Sequence, residues 1–217
     1  MWKDNKGFTL VELAIVLVII GLLLGGVLKG QEMIENGKIK NLKNDVQGVT
    51  AAYYAYRDRY NALPGDDSNA DNRWTTAAAP AATGGNANGL VGDNTWTQCT
   101  SALIEPESCT FIHHLRLAGL VTGQPNTSDP VNAYGGVIRV IQNINTTPAN
   151  TAYVVGLNLC FGNLPSKAAE ALDAGFDDGN PVTGNVRAAL GAGNTTPIAA
   201  APAAYLDPNT YTVCKLL

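Results

Sequence analysis

Two hydrophobic patterns follow each other in the first sixty residues. Residues 8–28 read FTLVELAIVLVIIGLLLGGVL, an apolar run of 21 residues in which Glu12 is the single ionisable group. As an α-helix this run is roughly 31 Å long, which matches the hydrocarbon core of a bilayer. It exceeds the apolar region of an ordinary secretory signal, and no A-x-A cleavage site follows it. The pattern therefore predicts a membrane-spanning helix.

Beyond residue 28 the pattern becomes amphipathic. Apolar residues recur at alternating steps of three and four, which places seven of them on one helical stripe: Ile39, Leu42, Val46, Val49, Tyr53, Tyr56 and Tyr60. No proline occurs before Pro64, so we predict one helix of about 50 residues from Phe8 to Tyr60. We expect the stripe to pack on a sheet of the same chain, with a parallel coiled coil as the alternative.

The rest of the chain has the pattern of one mixed domain. Residues 66–110 are rich in Asp, Asn, Gly, Ala and Thr and predict a long irregular insertion, whereas residues 188–204 form a Gly, Ala, Pro and Thr tract with little capacity to build a core. The regular elements predicted by periodicity are helices at 111–121 and 165–175 and strands at 134–144, 151–161 and 210–217. The predicted fold class is α+β.

Charge limits the partners of this domain. Residues 61–217 hold six Lys/Arg against twelve Asp/Glu, a formal net charge of −6. Because nucleic-acid affinity depends on cationic groups that displace counterions, we expect no nucleic-acid binding. Lys3 and Lys6 precede the apolar run and predict a cytoplasmic N-terminus with the remainder exported.

Glu12 is the unusual residue of the apolar run. A carboxylate at this depth in a membrane helix costs a few kcal/mol, and such residues mark a function or a specific partner. A side chain close enough to the headgroups to snorkel is the alternative.

The string Gly7-Phe8-Thr9-Leu10-Val11-Glu12 resembles the processing site of type IV prepilins and type II secretion pseudopilins. The resemblance implies that a membrane prepilin peptidase cuts after Gly7 and methylates the new N-terminus at Phe8. It also implies that Glu12 acts in assembly, where the Phe8 ammonium of a neighbouring subunit neutralises it, so that each charge is tolerated only in the filament.

The resemblance also implies a pilin-like architecture, in which the long helix lies on an antiparallel sheet. The expected segments are a cleaved leader at 1–7, a transmembrane assembly helix at 8–28, an amphipathic stalk helix at 29–61 and a disulfide-containing head at 62–217. The implied partners are other pilins or pseudopilins, the prepilin peptidase and an inner-membrane assembly platform. The implied location is the bacterial inner membrane, single-pass with a periplasmic head, or the cell exterior once assembled into a pilus.

Two features of the span bear on assembly. Gly21 and Gly25 stand four apart, as do Gly26 and Gly30, a spacing that lets membrane helices approach closely. Many members of the family have a proline where this chain has Lys29, so the sequence departs from the family pattern there.

Four cysteines fall on the exported side, where disulfides form and persist. Three pairings are open, with free buried thiols as a further alternative. We favour Cys99 with Cys109, which bracket a polar loop, and Cys160 with Cys214, which lie in predicted strands. The second pairing also resembles the disulfide-bounded loop of many type IV pilins.

Candidate chemistry in the head is limited. Asp173, Asp177 and Asp178 precede a Gly179-Asn180-Pro181 turn and are calcium candidates, although their spacing is not that of an EF-hand and ordinary turn formation is the alternative. His113 and His114 are adjacent, which points them about 100° apart on a helix and disfavours joint metal ligation. No nucleophile elbow, zinc-type Cys pair or dinucleotide loop occurs, so we expect no enzyme and no cofactor beyond calcium.

The sequence thus predicts a structural subunit of a type IV filament system, with a type II secretion pseudopilin or minor pilin favoured. The alternatives are a type IV pilus subunit for adhesion, motility or DNA uptake, and, in a different class, a single-span membrane-anchored ligand-binding domain that never polymerises.

Overall fold

The computed structural model of the chain describes residues 9–75, 83–92, 99, 106–124, 128–145, 153–191 and 202–217. Two compact units are present, Met1–Lys40 and Asn41–Leu217. The second unit contains the sheet, the short helices and both disulfides.

The N-terminal helix α1 spans Leu10–Tyr60 without interruption over 51 residues. Its C-terminal end agrees with the sequence prediction, because Asn61 adopts a left-handed conformation with φ of 52° and Pro64 follows. A residue with positive φ directly after the last turn is a common way for a helix to end. The predicted start at Phe8 lies outside the described residues.

Three short helices and four strands follow α1 within the described residues. The helices are α2 at Ala70–Arg73, α3 at Glu107–Leu117 and α4 at Ser166–Phe176. The strands are β1 at Ile138–Asn145, β2 at Tyr153–Pro165, β3 at Val186–Leu190 and β4 at Thr210–Leu216.

The strands form one antiparallel sheet in the order β1-β2-β4-β3. The chain is therefore α+β, with a long N-terminal helix and a four-stranded antiparallel sheet, which confirms the predicted fold class. The last strand along the sequence, β4, pairs on one edge with β2 and on the other with β3.

The core lies on the face of the sheet that carries Leu157, Leu159 and Phe161 of β2. These residues belong to a buried cluster that also includes side chains of α1, α3, α4, β1, β3 and β4. The alternate residues of the sheet face the other side, where Ile141, Cys160 and Cys214 form a second, smaller cluster. Alternation along β2 thus gives two buried layers, because successive side chains of a strand point to opposite faces.

The predicted stalk face supplies the α1 contribution to this core. Five of its residues are buried: Leu42, Val46, Val49, Tyr53 and Tyr56. Tyr60 is partly buried against the same cluster, and Ile39, which belongs to the first compact unit, is half-buried. The apolar stripe of residues 42–60 is therefore buried by other parts of the same chain, as we predicted, rather than by a coiled-coil partner.

Both favoured disulfides are present. Cys99 and Cys109 are joined with their Cα atoms 5.3 Å apart. Cys160 of β2 and Cys214 of β4 stand directly opposite each other in the sheet, with a Cα separation of 3.9 Å. The second bridge closes a stretch with a sequence separation of 54 and ties the central strands together.

Three of the differences from the sequence prediction have a clear physical reason. Helix α3 begins at Glu107 rather than Phe111, because its first turn buries the small or polar residues Ser108, Cys109 and Thr110, which give no apolar signal. The 188–204 tract overlaps β3, whose Ala188 and Ala189 are buried against neighbouring elements. The 66–110 insertion contains the short helix α2 as well as the start of α3.

A buried polar network joins the end of α1 to the insertion. The Tyr56 hydroxyl donates to Asp67 Oδ2 at 2.7 Å, and Arg73 forms an ion pair with the same carboxylate. Burial alone would raise the pKa of Asp67, but the hydrogen bonds from Arg73, Tyr56 and the Asn69 amide hold it below its ordinary value. A buried carboxylate of this kind is tolerated because its lone pairs are satisfied.

His114 of α3 completes the network. Its Nδ1 accepts from the Gly65 amide at 2.9 Å, so Nε2 carries the proton and donates to the Thr83 carbonyl at 3.0 Å. Its ring stacks on Tyr56 with a centroid separation of 6.2 Å. Both ring nitrogens are therefore used in the neutral form, and burial lowers the pKa of His114 from 6.5 to about 4.

Two glycines give opposite predictions when changed to alanine. A Cβ on Gly48 of α1 would meet nothing within 4 Å, so Gly48→Ala should raise the free energy of unfolding by about 0.5–1 kcal/mol through helix propensity. A Cβ on Gly136 would lie 1.8 Å from the Gly162 carbonyl oxygen, so Gly136→Ala should lower the free energy of unfolding by about 3 kcal/mol, the upper end of the cost of overpacking. Chemical denaturation of the detergent-solubilised chain measures both, and equal effects would contradict the packing described for Gly136.

Acidification should lower the stability of the head because His114 is buried in its neutral form. Between pH 6.5 and 4 the unfolded state binds a proton at this histidine that the folded state does not, so the free energy of unfolding should fall on acidification, by up to about 3 kcal/mol. The measurement is the slope of unfolding free energy against pH, compared with His114→Asn, which cannot titrate. An unchanged slope in the variant would contradict the buried neutral form.

Candidate functional site

The first candidate site is the N-terminal end of α1. The predicted processing residues Gly7 and Phe8 lie outside the described residues, and the description begins at Thr9. Thr9 directly precedes the first helical residue, Leu10, and is therefore the N-cap position of α1. Glu12 stands three residues later, within the first turn.

Thr9 and Glu12 form a reciprocal cap. Glu12 Oε2 accepts hydrogen bonds from the Thr9 backbone amide at 2.8 Å and from the Thr9 hydroxyl at 2.8 Å. The Glu12 amide donates in return to Thr9 Oγ1 at 3.3 Å. This is the capping box, in which two helix-end amides that lack intrahelical partners are satisfied by side chains.

Sequence reasoning missed this role of Thr9, although the signal is present. A Thr-x-x-Glu string directly before an apolar helical run is the signature of a capping box. Both hydrogen bonds that the Glu12 carboxylate accepts use Oε2, and Oε1 has no hydrogen-bond partner within the described part of the chain. The Glu12 carboxylate can therefore cap its own helix and still receive a second donor.

The helix surface between Leu13 and Leu28 is apolar on every side. Residues 11–29 are all exposed, including Leu17 at 69% and Leu22 at 73% of their full accessibility. By length and composition α1 contains a segment able to cross a membrane. Gly21, Gly25 and Gly26 lie in this segment, and a Cβ on any of them would meet nothing within 4 Å, so their surfaces are open to an approaching helix.

The second candidate site is the acidic cluster that follows α4. Carboxylate oxygens of Asp173, Asp177 and Asp178 all lie within 4.8 Å of one another. Asp173 is fully buried, Asp177 is partly buried and Asp178 is exposed. The structure thus brings together the three residues that the sequence marked as calcium candidates.

Protein donors already bind each of these carboxylates. Asp173 accepts from the Tyr205 hydroxyl at 2.7 Å and the Gly179 amide at 3.2 Å. Asp177 accepts from the Val186 amide at 2.9 Å, and Asp178 accepts from the Asn180 amide at 2.9 Å and from the Thr183 hydroxyl. These bonds order the turn between α4 and β3, so the turn-forming role accounts for the cluster and calcium binding stays a prediction.

Electrostatics separate the members of the cluster. Burial, reinforced by the charges of Asp178 and Asp177, raises the pKa of Asp173 despite its two hydrogen bonds. Hydrogen bonds from Thr183 and Asn180 lower the pKa of Asp178, and the nearby Arg187 guanidinium adds to that effect. A cation at this cluster would therefore contact Asp173, whose raised pKa favours the neutral carboxyl form, and Asp178, whose carboxylate already has the Arg187 guanidinium nearby.

The two adjacent histidines do not converge on a common point. Both are buried, and their ring centroids are 6.4 Å apart with the planes inclined at 43°. His114 uses both nitrogens in hydrogen bonds to the backbone of Gly65 and Thr83. This geometry fits a structural role in the network around Asp67.

Comparison with known proteins concerns the first of these sites. Residues 2–28 match the family model described as the prokaryotic N-terminal methylation motif. No curated protein and no solved structure matches the chain. The matched residues include the predicted cleavage point, the Thr9–Glu12 cap and the exposed apolar segment of α1. The chain therefore carries the N-terminal methylation motif that is the hallmark of the type IV pilin and pseudopilin family.

Proposed function

We propose that this chain is a non-catalytic structural subunit of a type IV filament system, cut by a prepilin peptidase after Gly7 and assembled through α1. The observation that carries the proposal is the methylation motif at residues 2–28, which leads directly into a helix with exposed apolar side chains. Such a surface has to be covered by lipid before assembly and by other helices afterwards.

The hydrogen bonding of the Glu12 carboxylate supports a role in assembly. Its Oε2 is held by Thr9, while Oε1 is left for a donor from outside the protomer. The ammonium of a processed neighbour at Phe8 is a donor of the required charge. An ion pair in an apolar surrounding is stable only when both charges are present, so each protomer would favour the neighbour that completes its pair.

Within this class we favour a type II secretion pseudopilin or minor pilin. The long polar insertion between α1 and α3 suits a specialised subunit at least as well as a repeated one. A subunit of a surface pilus is the second candidate. Electron microscopy of sheared surface fibres, together with a secretion assay in a deletion strain, distinguishes the two.

A single-span anchor that never polymerises is the alternative from a different class. It would retain the apolar helix and the head but would have no need for a methylated N-terminus. The acidic cluster of Asp173, Asp177 and Asp178 would then be the first place to look for a bound ligand.

Processing is the first test. Co-expression with a prepilin peptidase should remove residues 1–7 and add one methyl group to Phe8, which intact-mass spectrometry detects. Gly7→Leu should remain uncut, because a bulky side chain replaces the glycine at the predicted cleavage point. A chain that keeps residues 1–7 in the presence of an active peptidase would favour the plain anchor.

Assembly is tested by separating the charge of Glu12 from its capping role. Glu12→Gln keeps an oxygen for the Thr9 amide, since glutamine also serves in capping boxes, but it removes the charge. Thr9→Ala removes the cap hydroxyl and keeps the charge. We expect correctly processed Glu12→Gln to lose filament formation and Thr9→Ala to retain most of it, as measured by cross-linking and electron microscopy.

The two variants serve as controls for each other. If Thr9→Ala fails and Glu12→Gln assembles, Glu12 acts as a helix cap and the intersubunit ion pair is wrong. If both assemble as well as the parent, neither role limits polymerisation and the proposed use of Glu12 is contradicted.

A further inference from the structure

The loop of residues 83–92 is held by carboxylates from two other segments. Asp66 accepts from the Asn88 amide at 3.1 Å and from the Gly89 amide at 2.7 Å. Glu107 accepts from the Asn86 and Gly92 amides, each at 3.0 Å. The exposed tip of this loop is Asn88-Gly89, one of two Asn-Gly pairs in the sequence.

The backbone nitrogen of Gly89 is placed to act as a nucleophile. The Gly89 N–H points at Asp66 Oδ2, so a base stands in the plane of the peptide where the proton lies. The faces of the peptide nitrogen are perpendicular to that direction, which leaves them open for attack on a neighbouring carbonyl. Gly89 also has no side chain to hinder the approach, and its φ of 84° is one that glycine adopts without strain.

The Asn88 side chain is activated as the electrophile. Its Oδ1 accepts a hydrogen bond from the Leu90 amide at 2.8 Å, which folds the side chain back over the peptide that follows it. A donor on this oxygen stabilises the negative charge that develops there when the carbonyl carbon is attacked. Nucleophile, base and oxyanion donor are therefore Gly89 N, Asp66 and Leu90 N–H.

We propose that Asn88 is a self-modifying residue that cyclises onto Gly89 and loses ammonia, with Asp66 as general base. A bond forms between Gly89 N and Asn88 Cγ, and the Gly89 proton passes to the Asp66 carboxylate. The bond from Cγ to Nδ2 then breaks, and the proton returned by Asp66 leaves with ammonia. Solvent water opens the resulting succinimide at either carbonyl and yields aspartate or isoaspartate at position 88.

The second Asn-Gly pair provides an internal control. Asn36-Gly37 is exposed but lies inside α1, where the backbone amide of an interior residue is bound to the carbonyl four residues earlier. A helical backbone keeps that nitrogen in the ladder and away from the preceding side chain. The two pairs share their chemistry and differ in backbone conformation and in the acceptor of the glycine amide, which is the Asp66 carboxylate at Gly89.

The modification changes the head. It places a further negative charge beside Asp66, whose carboxylate organises the loop, and the isoaspartate product also lengthens the backbone. Ala87 and Gly89 form part of the wall of a cavity of about 390 Å³ that includes Arg73 and Tyr60. Aged and new protomers would therefore differ at this surface, whichever filament they belong to.

The test is incubation of the full chain in detergent at neutral pH, followed by peptide mapping. Conversion is read from the mass increase that accompanies replacement of NH2 by OH, with isoaspartate identified by fragmentation. Asn88 should convert faster than Asn36 in the same sample. Asp66→Asn should slow the conversion of Asn88 by about a hundredfold, which is the lower end of what a positioned general base contributes. The conversion rate of Asn36 should stay unchanged.

A second variant controls for a loosening of the loop of residues 83–92. Glu107→Gln weakens the hold on Asn86 and Gly92 without touching Asp66, so it should leave Asn88 conversion at least as fast as in the parent. If Asp66→Asn slows conversion while Glu107→Gln does not, the base role of Asp66 is supported. If Asn88 converts no faster than Asn36, or if Asp66→Asn leaves its rate unchanged or raised, the proposal is wrong.

Discussion

The exposed apolar surface of α1 is the constraint on which the rest of the molecule depends. Between residues 10 and 28 every side chain is exposed, and leucine, isoleucine and valine predominate. Each such side chain gains about 1.5–3 kcal/mol when it is removed from water, so the segment cannot remain in an aqueous phase. A surface of this kind suits membrane anchoring, and the N-terminal methylation motif at residues 2–28 covers most of it.

The C-terminal half of the same helix is built for a different surrounding. Only one stripe of it is apolar, and that stripe is covered by the sheet domain within the chain. The polar end of the stripe is joined to the insertion through Tyr56, Asp67 and Arg73, and the buried His114 closes the network. In the described loop of residues 83–92, the backbone amides of Asn88 and Gly89 donate to Asp66, and those of Asn86 and Gly92 donate to Glu107. These carboxylates order the loop because they satisfy its backbone donors.

Periodicity predicted the elements whose burial comes from large apolar side chains. The helix α1 and the strands β1, β2 and β4 all follow from such signals, and the cysteine pairing follows from the placement of Cys160 and Cys214 in strands. The prediction of α4 rests instead on Ser166 before an alanine-rich turn. The strand β3 could not be predicted in this way, because Ala188 and Ala189 are buried by tertiary contacts that composition does not reveal. The Thr9–Glu12 cap was predictable in principle, whereas the partners of Asp66 lie 22 and 23 residues away in a polar stretch without periodicity.

The position of β4 affects the order in which the head can form. Among the strands of the described residues β4 comes last in the sequence, yet it fills a central place between β2 and β3. Until it arrives, β3 lacks the strand that it pairs with and Cys160 lacks its native partner Cys214. Such non-local pairing slows folding, so the sheet stays incomplete until the last strand has been synthesised. Until then the edge of β2 that pairs with β4 stays open to pairing with another chain.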